Sequence, residues 1–125
     1  MNLITCDAGD TVRIGGTAID FGRDVVQRLA SFGGEKIVVG FRPEAVRAGE
    51  GLLKAHIRTV EDLGSEVFVH VGLDHEGDTV SVVSKMPAPF VGATGDPIDL
   101  QLGGTVHVFD PTGARLATTS ARFAS

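Results

Sequence analysis

Residues 52–60, "LLKAHIRTV", alternate in character: Leu53, Ala55 and Ile57 fall on one face, Lys54, His56 and Arg58 on the other. The stretch "EVFVHVGL" at 66–73 repeats this with Val67, Val69, Val71 and Leu73. A period of two with one apolar face predicts half-buried antiparallel strands. Between them, "VEDLGSE" reads as a turn cornered at Gly64; "DHEGD" at 74–78 predicts another turn before "TVSVVSK" returns as a strand. Upstream, "TVRIGGTAIDF" predicts two short strands around Gly15-Gly16, and "DAGD" at 7–10 a turn. "GRDVVQRLASFGG" is the helical candidate, with Val25, Val26, Leu29 and Phe32 on one face and Gly33-Gly34 as its end. Ile37, Val38 and Val39 form a short apolar run that stops at "GFRPEAVR". "MPAPFVGATGDP" predicts a loop, "IDLQLGGTVHVFD" two last strands, "PTG" at 111–113 a turn, and "SARFAS" a frayed tail. Short strands at this spacing imply a mainly β domain, a sandwich or small barrel.

Composition narrows the function more than the fold. A chain of 125 residues fits one domain with a sizeable core. Its apolar residues directly after the initiator Met suggest a domain excised from a longer protein. The net charge of −5 argues against a broad phosphate-binding face, and the absence of Tyr and Trp leaves only Phe or His for stacking on bases. Nucleic acid is therefore not an expected partner. No apolar run approaches the roughly 20 residues that span a bilayer, so direct membrane insertion is not expected either. The lone Cys6 cannot form an internal disulfide; it reads as a small buried apolar residue in a reducing compartment.

The chemically suggestive residues mostly have a structural explanation. "GGEK" at 33–36 lacks the glycine spacing and following Ser/Thr of a phosphate-binding loop. His56, His70, His75 and His107 lack zinc-type spacing and read as strand-surface residues, so no metal is expected. Glu61, Asp62 and Glu66 could form a carboxylate pair, but a solvated turn explains them without a cleft. At "GFRPEAVR", Pro43 ends ladder pairing and biases Arg42 toward extended geometry. Glu44 follows in the first turn after the proline. The planar donors of Arg42 suit a clamp on neighbouring carbonyls or carboxylates, with a partner-facing role as the second reading.

Four segments, taken in order, resemble one family. "VVGFRPEAV" is similar to the Gly-Ile-Arg-Pro-Glu-His segment in the C-terminal regulatory domain of ATP-binding subunits of sugar-type ABC importers. "VEDLGSEVFVHV" resembles that family's Val-Glu-x-Leu-Gly-(Ser/Asn)-Glu-x-x-x-His, "VHVFDPTGARL" its His-Leu-Phe-Asp-x-x-Thr-Gly, and "MNLI" the Met-Asn-Leu that follows its nucleotide-binding domain. The class imports maltose, trehalose and related sugars, glycerol 3-phosphate or glycerophosphodiesters. The resemblance implies an OB-like β-barrel or sandwich of short antiparallel strands with one or two short helices, spanning residues 1–125 as a single regulatory domain.

The same resemblance implies a non-catalytic role. ATP and Mg would belong to the parent's N-terminal domain, with no cofactor in this chain. Implied partners are a second copy of the ATPase subunit, the permease subunits through the parent protein and, as in some lineages of the family, a regulatory protein. The implied location is peripheral, on the cytoplasmic side of the membrane. Gly40, Arg42 and Glu44 in the Arg-Pro-Glu segment are the first interface candidates. Glu61, Gly64, Ser65 and Glu66, in and around the hairpin corner, are the second. Ala45 and Val67 depart from the family's usual histidine and threonine. The alternatives are a stand-alone small-anion barrel of the molybdate type, to which "TTSAR" at 118–122 bears a slight similarity, and an OB-type nucleic-acid-binding module.

Because no glycine loop with its lysine is present, the chain is expected to show neither ATP hydrolysis nor tight ATP binding. Calorimetry with Mg-ATP checks this, and saturable binding in the micromolar range would contradict it.

Overall fold

The computed structural model describes residues 1–9 and 11–124. Asp10, the end of the expected turn at 7–10, and Ser125, the last residue of the tail, lie outside the described residues. The fold is mainly β and OB-like, built of antiparallel strands with one helix and one 3-10 turn among the described residues. In chain order come β1 (Asn2–Asp7), β2 (Arg13–Ile14), β3 (Thr17–Asp20), α1 (Arg23–Phe32) and β4 (Lys36–Phe41). A 3-10 turn (Pro43–Ala45) leads into β5 (Val46–Asp62), β6 (Glu66–His75), β7 (Asp78–Pro87), β8 (Pro97–Phe109) and β9 (Arg115–Ala124).

The strands follow the order β2-β3-β9-β8-β5-β6-β7, with β4 joining β8 and β1 joining β4. Strand β8 is the hub. Its first half pairs with β5, from Pro97 opposite His56 to Leu102 opposite Val46. Its second half pairs with β9 on one side and, from Val106 to Phe109, with β4 on the other. The two expected strands over 98–110 are thus one strand of 13 residues. Gly103 and Gly104 mark the place where its partners change, and they do not break it. The expected fraying of the tail is also corrected. Ala121 and Phe123 are buried because β9 is held between β3 and β8.

The predicted faces are otherwise present. Leu53 and Ile57 are buried, as are Val67, Val69, Val71 and Leu73, while Lys54, His56 and Arg58 face solvent. Helix α1 buries Val25 and Leu29 and half-buries Phe32, but Val26 is exposed, so the apolar stripe is narrower than its four residues suggest. The core runs continuously from Ile4 and Cys6 through Val39 and Phe41 to Leu100, Leu102, Val106 and Val108. Burial and the nearby carboxylates of Glu76 and Asp7 push the Cys6 thiol up to about 12, so it stays protonated and inert.

Buried polar groups are satisfied by bonds between distant elements. His75 is buried, contrary to the expected surface placement. Its Nδ1 accepts from the Gly15 amide at 3.1 Å and its Nε2 donates to the Thr5 carbonyl at 2.7 Å, tying β6 to β1 and to the β2–β3 hairpin. The Asn2 side chain donates to the Val83 carbonyl and accepts from the Val83 amide, both at 2.9 Å, like a single rung of ladder between β1 and β7. Ser84 Oγ donates to the Val46 carbonyl at 2.5 Å.

Strand β5 changes register on β8 between Ala48 and Leu53. At Gly51 it lies against the Leu100 backbone so closely that an added Cβ would sit 2.0 Å from the carbonyl oxygen. Backbone cannot retreat as a flexible side chain can. Gly51→Ala is therefore expected to cost about 1–3 kcal/mol through forced overpacking, seen as a lower urea midpoint with unchanged slope.

Candidate functional site

The candidate residues form two groups at the ends of neighbouring strands. In the first, Gly40 is buried in β4, opposite Leu3 of β1 and His107 of β8. A Cβ there would meet Met1 Sδ at 2.8 Å, Leu3 Cδ2 at 3.0 Å and Phe109 Cε2 at 3.1 Å. The missing side chain lets these three apolar groups close over β4. Arg42 takes the extended geometry expected before proline, and its side chain is exposed. Among the described residues its guanidinium has no hydrogen bond or ion pair, which corrects the expectation of a clamp. Glu44, in the 3-10 turn, is exposed as well; Ala45 beside it is buried, and a Cβ added at Gly104 would lie 3.3 Å from its own Cβ.

The second group surrounds the β5–β6 corner. Gly64 adopts φ +92, a conformation side chains disfavour, and its amide donates to Asp62 Oδ1 at 2.8 Å. The Leu63 amide closes the corner on the Glu66 carbonyl at 3.0 Å. Ser65 is exposed. Glu61 is exposed too, with its carboxylate 3.7 Å from His70 Nε2 on β6. Glu66 is engaged differently, meeting Lys85 of β7 at 2.9 Å. This pair is half-exposed, so its worth is that of a screened surface contact.

Strand β7 is what connects the two groups in space: its Lys85 meets Glu66, and the neighbouring Ser84 Oγ donates to the Val46 carbonyl just past the 3-10 turn. The hydrogen bond and charge of Glu66 hold the Lys85 ammonium above the ordinary lysine range, and the charge of Glu44 adds to this. Residue types gave no sign of Lys85, because the register of β6 on β7 places it.

A third element gains its meaning from local chemistry. Between β8 and β9, Asp110 Oδ1 accepts from the Thr112 amide at 2.9 Å, the Thr112 hydroxyl at 2.6 Å and the Ala114 amide at 3.0 Å. The Asp-Pro-Thr-Gly run is thus an Asx-type turn whose carboxylate organises the hairpin. These bonds, led by the Thr112 hydroxyl, hold the Asp110 carboxyl below its ordinary value. Among the described residues no cluster of three His, Cys, Asp or Glu side chains is placed to hold a metal, and no helix is long and apolar enough to cross a membrane.

The geometry defines the class of OB-like antiparallel domains, here with two polar corners exposed at its surface. The family profile for the TOBE domain matches residues 39–109, which include both corners, and the chain belongs to that family. TOBE domains are transport-associated OB domains, non-catalytic regulatory or binding modules associated with ABC transporters. No curated protein sequence matches the chain.

Two outcomes separate surface from scaffold here. Arg42→Ala is expected to change stability by less than about 0.5 kcal/mol, since it removes an unpaired exposed side chain; a urea melt checks this. Asp110→Ala is expected to lower the melting temperature at neutral pH. Because the folded carboxyl titrates below its unfolded value, its contribution is present above that value and fades as pH falls through the folded one. The gap between wild type and Asp110→Ala should therefore narrow in melts taken from about pH 5 to about pH 2.

Proposed function

We propose that this chain is the C-terminal regulatory and dimerisation domain of the ATP-binding subunit of an ABC importer that energises uptake of a sugar or a glycerophosphodiester. The observation that carries the reading is the TOBE match over residues 39–109. It encloses the Arg-Pro-Glu and Val-Glu-x-Leu-Gly-Ser-Glu segments and the start of the closing His-x-Phe-Asp segment in the order that the importer subunits show. In this reading the chain binds no nucleotide. ATP and Mg are held by the nucleotide-binding domain of the parent subunit, which also docks on the permease subunits. The domain pairs with its copy in the second ATPase subunit and lies peripherally on the cytoplasmic face of the membrane.

Exposed Glu61 and Ser65 beside a rigid Gly64 corner support a contact surface for that second copy or for a regulatory protein. Exposed Arg42 and Glu44 at the Arg-Pro-Glu corner offer a second part of such a surface. Charges at the rim of such a surface act mainly on association rate and partner choice. The coding sequence upstream of Met1 tests the assignment directly. A phosphate-binding loop with its lysine and an ABC signature there support it, and an unrelated upstream sequence overturns it.

Within the same reading, Glu61→Lys is expected to leave the melting curve of the isolated domain within about 0.5 kcal/mol of wild type. In the complete transporter it should alter control of ATP turnover or sensitivity to a regulator. A mutant domain that unfolds readily would make Glu61 a structural residue. The isolated domain should self-associate only weakly, because the parent's other contacts raise the effective concentration; sedimentation showing a nanomolar dimer would contradict this.

A further inference from the structure

Beside the Arg-Pro-Glu corner lies a recess of about 320 Å³, lined by Arg42, Glu44, Ala45, the Gly103–Gly104 backbone, Thr105 and His107. Its geometry follows from strand register. Gly40 sits opposite His107 and Phe41 opposite Val106, so Arg42, two residues past Gly40, emerges beside Thr105. Gly103, Thr105 and His107 alternate along β8 with the buried Leu102, Val106 and Val108 and so share its outer face. Among the described residues, the Arg42 guanidinium, the Thr105 hydroxyl and His107 Nε2 have no hydrogen-bond partner. His107 is nonetheless oriented, through Nδ1 and the Thr118 hydroxyl at 3.0 Å. A Cβ at Gly103 would meet nothing within 4 Å, so the recess is open where that side chain would stand.

We infer that this recess binds a small oxyanion that also bears a hydroxyl group. The anionic end, a carboxylate or a phosphate ester, is met by the guanidinium fork of Arg42, with Thr105 and His107 as further donors. Glu44 on the same wall would repel a bare anion, but it accepts a hydrogen bond from a neighbouring hydroxyl. The volume suits a small metabolite and no larger ligand. This inference stands on the recess alone and goes beyond the transporter assignment, whose failure would leave it intact.

The test is an amide chemical-shift titration of the full chain with L-malate and with glycerol 2-phosphate, set against inorganic phosphate, molybdate and glycerol. Saturable shifts around Arg42 and Gly103 are expected with malate, glycerol 2-phosphate or both, at dissociation constants on the order of 0.1–1 mM. Which of the two binds identifies the anionic group. Arg42→Ala should weaken that binding by about ten- to a hundredfold. Gly103→Leu, whose Cβ would meet nothing within 4 Å and whose longer side chain occupies the recess, should abolish it, with shifts elsewhere in the spectrum unchanged. Glu44→Ala should weaken malate or glycerol 2-phosphate binding relative to inorganic phosphate, whose binding it should strengthen by removing the like charge. Absence of saturable binding, binding that survives Arg42→Ala, or equal affinity for inorganic phosphate or molybdate would overturn the inference.

Discussion

The fold depends on the shared pairing of β8. Its residues Pro97–Leu102 complete a ladder with β5, and its residues Gly103–Phe109 complete one with β9, while Val106–Phe109 also pair with β4. Every partner is anchored through one extended chain, so a disturbance in β8 reaches β3 through β9, β1 through β4, and β6 through β5. Leu100, Leu102, Val106 and Val108 point from this strand into the core and are completely or almost completely buried. Hydrogen bonding and apolar burial therefore coincide on the same residues. The switch of partners falls at Gly103–Gly104, where an absent side chain leaves room for Ala45 on one face and an open recess on the other.

Around that spine, the polar contacts divide by burial. Asn2, His75 and Ser84 are buried, and each bonds backbone groups far away in sequence, so losing one would strand an amide or a carbonyl in the interior. The ion pairs Lys85–Glu66 and Lys54–Asp99 leave their lysines well open to solvent, 40% and 78% exposed, and add little to stability. What such pairs do instead is arrange charge at the surface. Lys85 pairs across the β6–β7 ladder with Glu66 and so fixes one positive charge beside the β5–β6 corner.

The sequence alone determined what depends on near neighbours. Alternation along 52–60 and 66–73 showed which side chains face the core, because a strand repeats every two residues wherever it lies. Gly15-Gly16 marked a hairpin, Gly33 the end of a helix, and Gly64 a corner, since each is a local backbone requirement. Segment resemblance reached the family for the same reason: the Arg-Pro-Glu and Asp-x-Thr-Gly runs are local devices with local chemistry. The tertiary structure decided what depends on distant partners. Gly103–Gly104 looks like a break until β9 pairs with both residues and holds them extended. "SARFAS" looks like a tail until β3 and β8 enclose it and bury Ala121 and Phe123. His75 resembles its exposed counterparts His56 and His70 in local setting, and only the arrival of Thr5 and Gly15 makes it a buried tether. Arg42 shows the reverse, because among the described residues no acceptor bonds its guanidinium, and the residue expected to clamp the corner is left facing outward. Local sequence specifies which way a side chain points; pairing between remote strands specifies what it meets there.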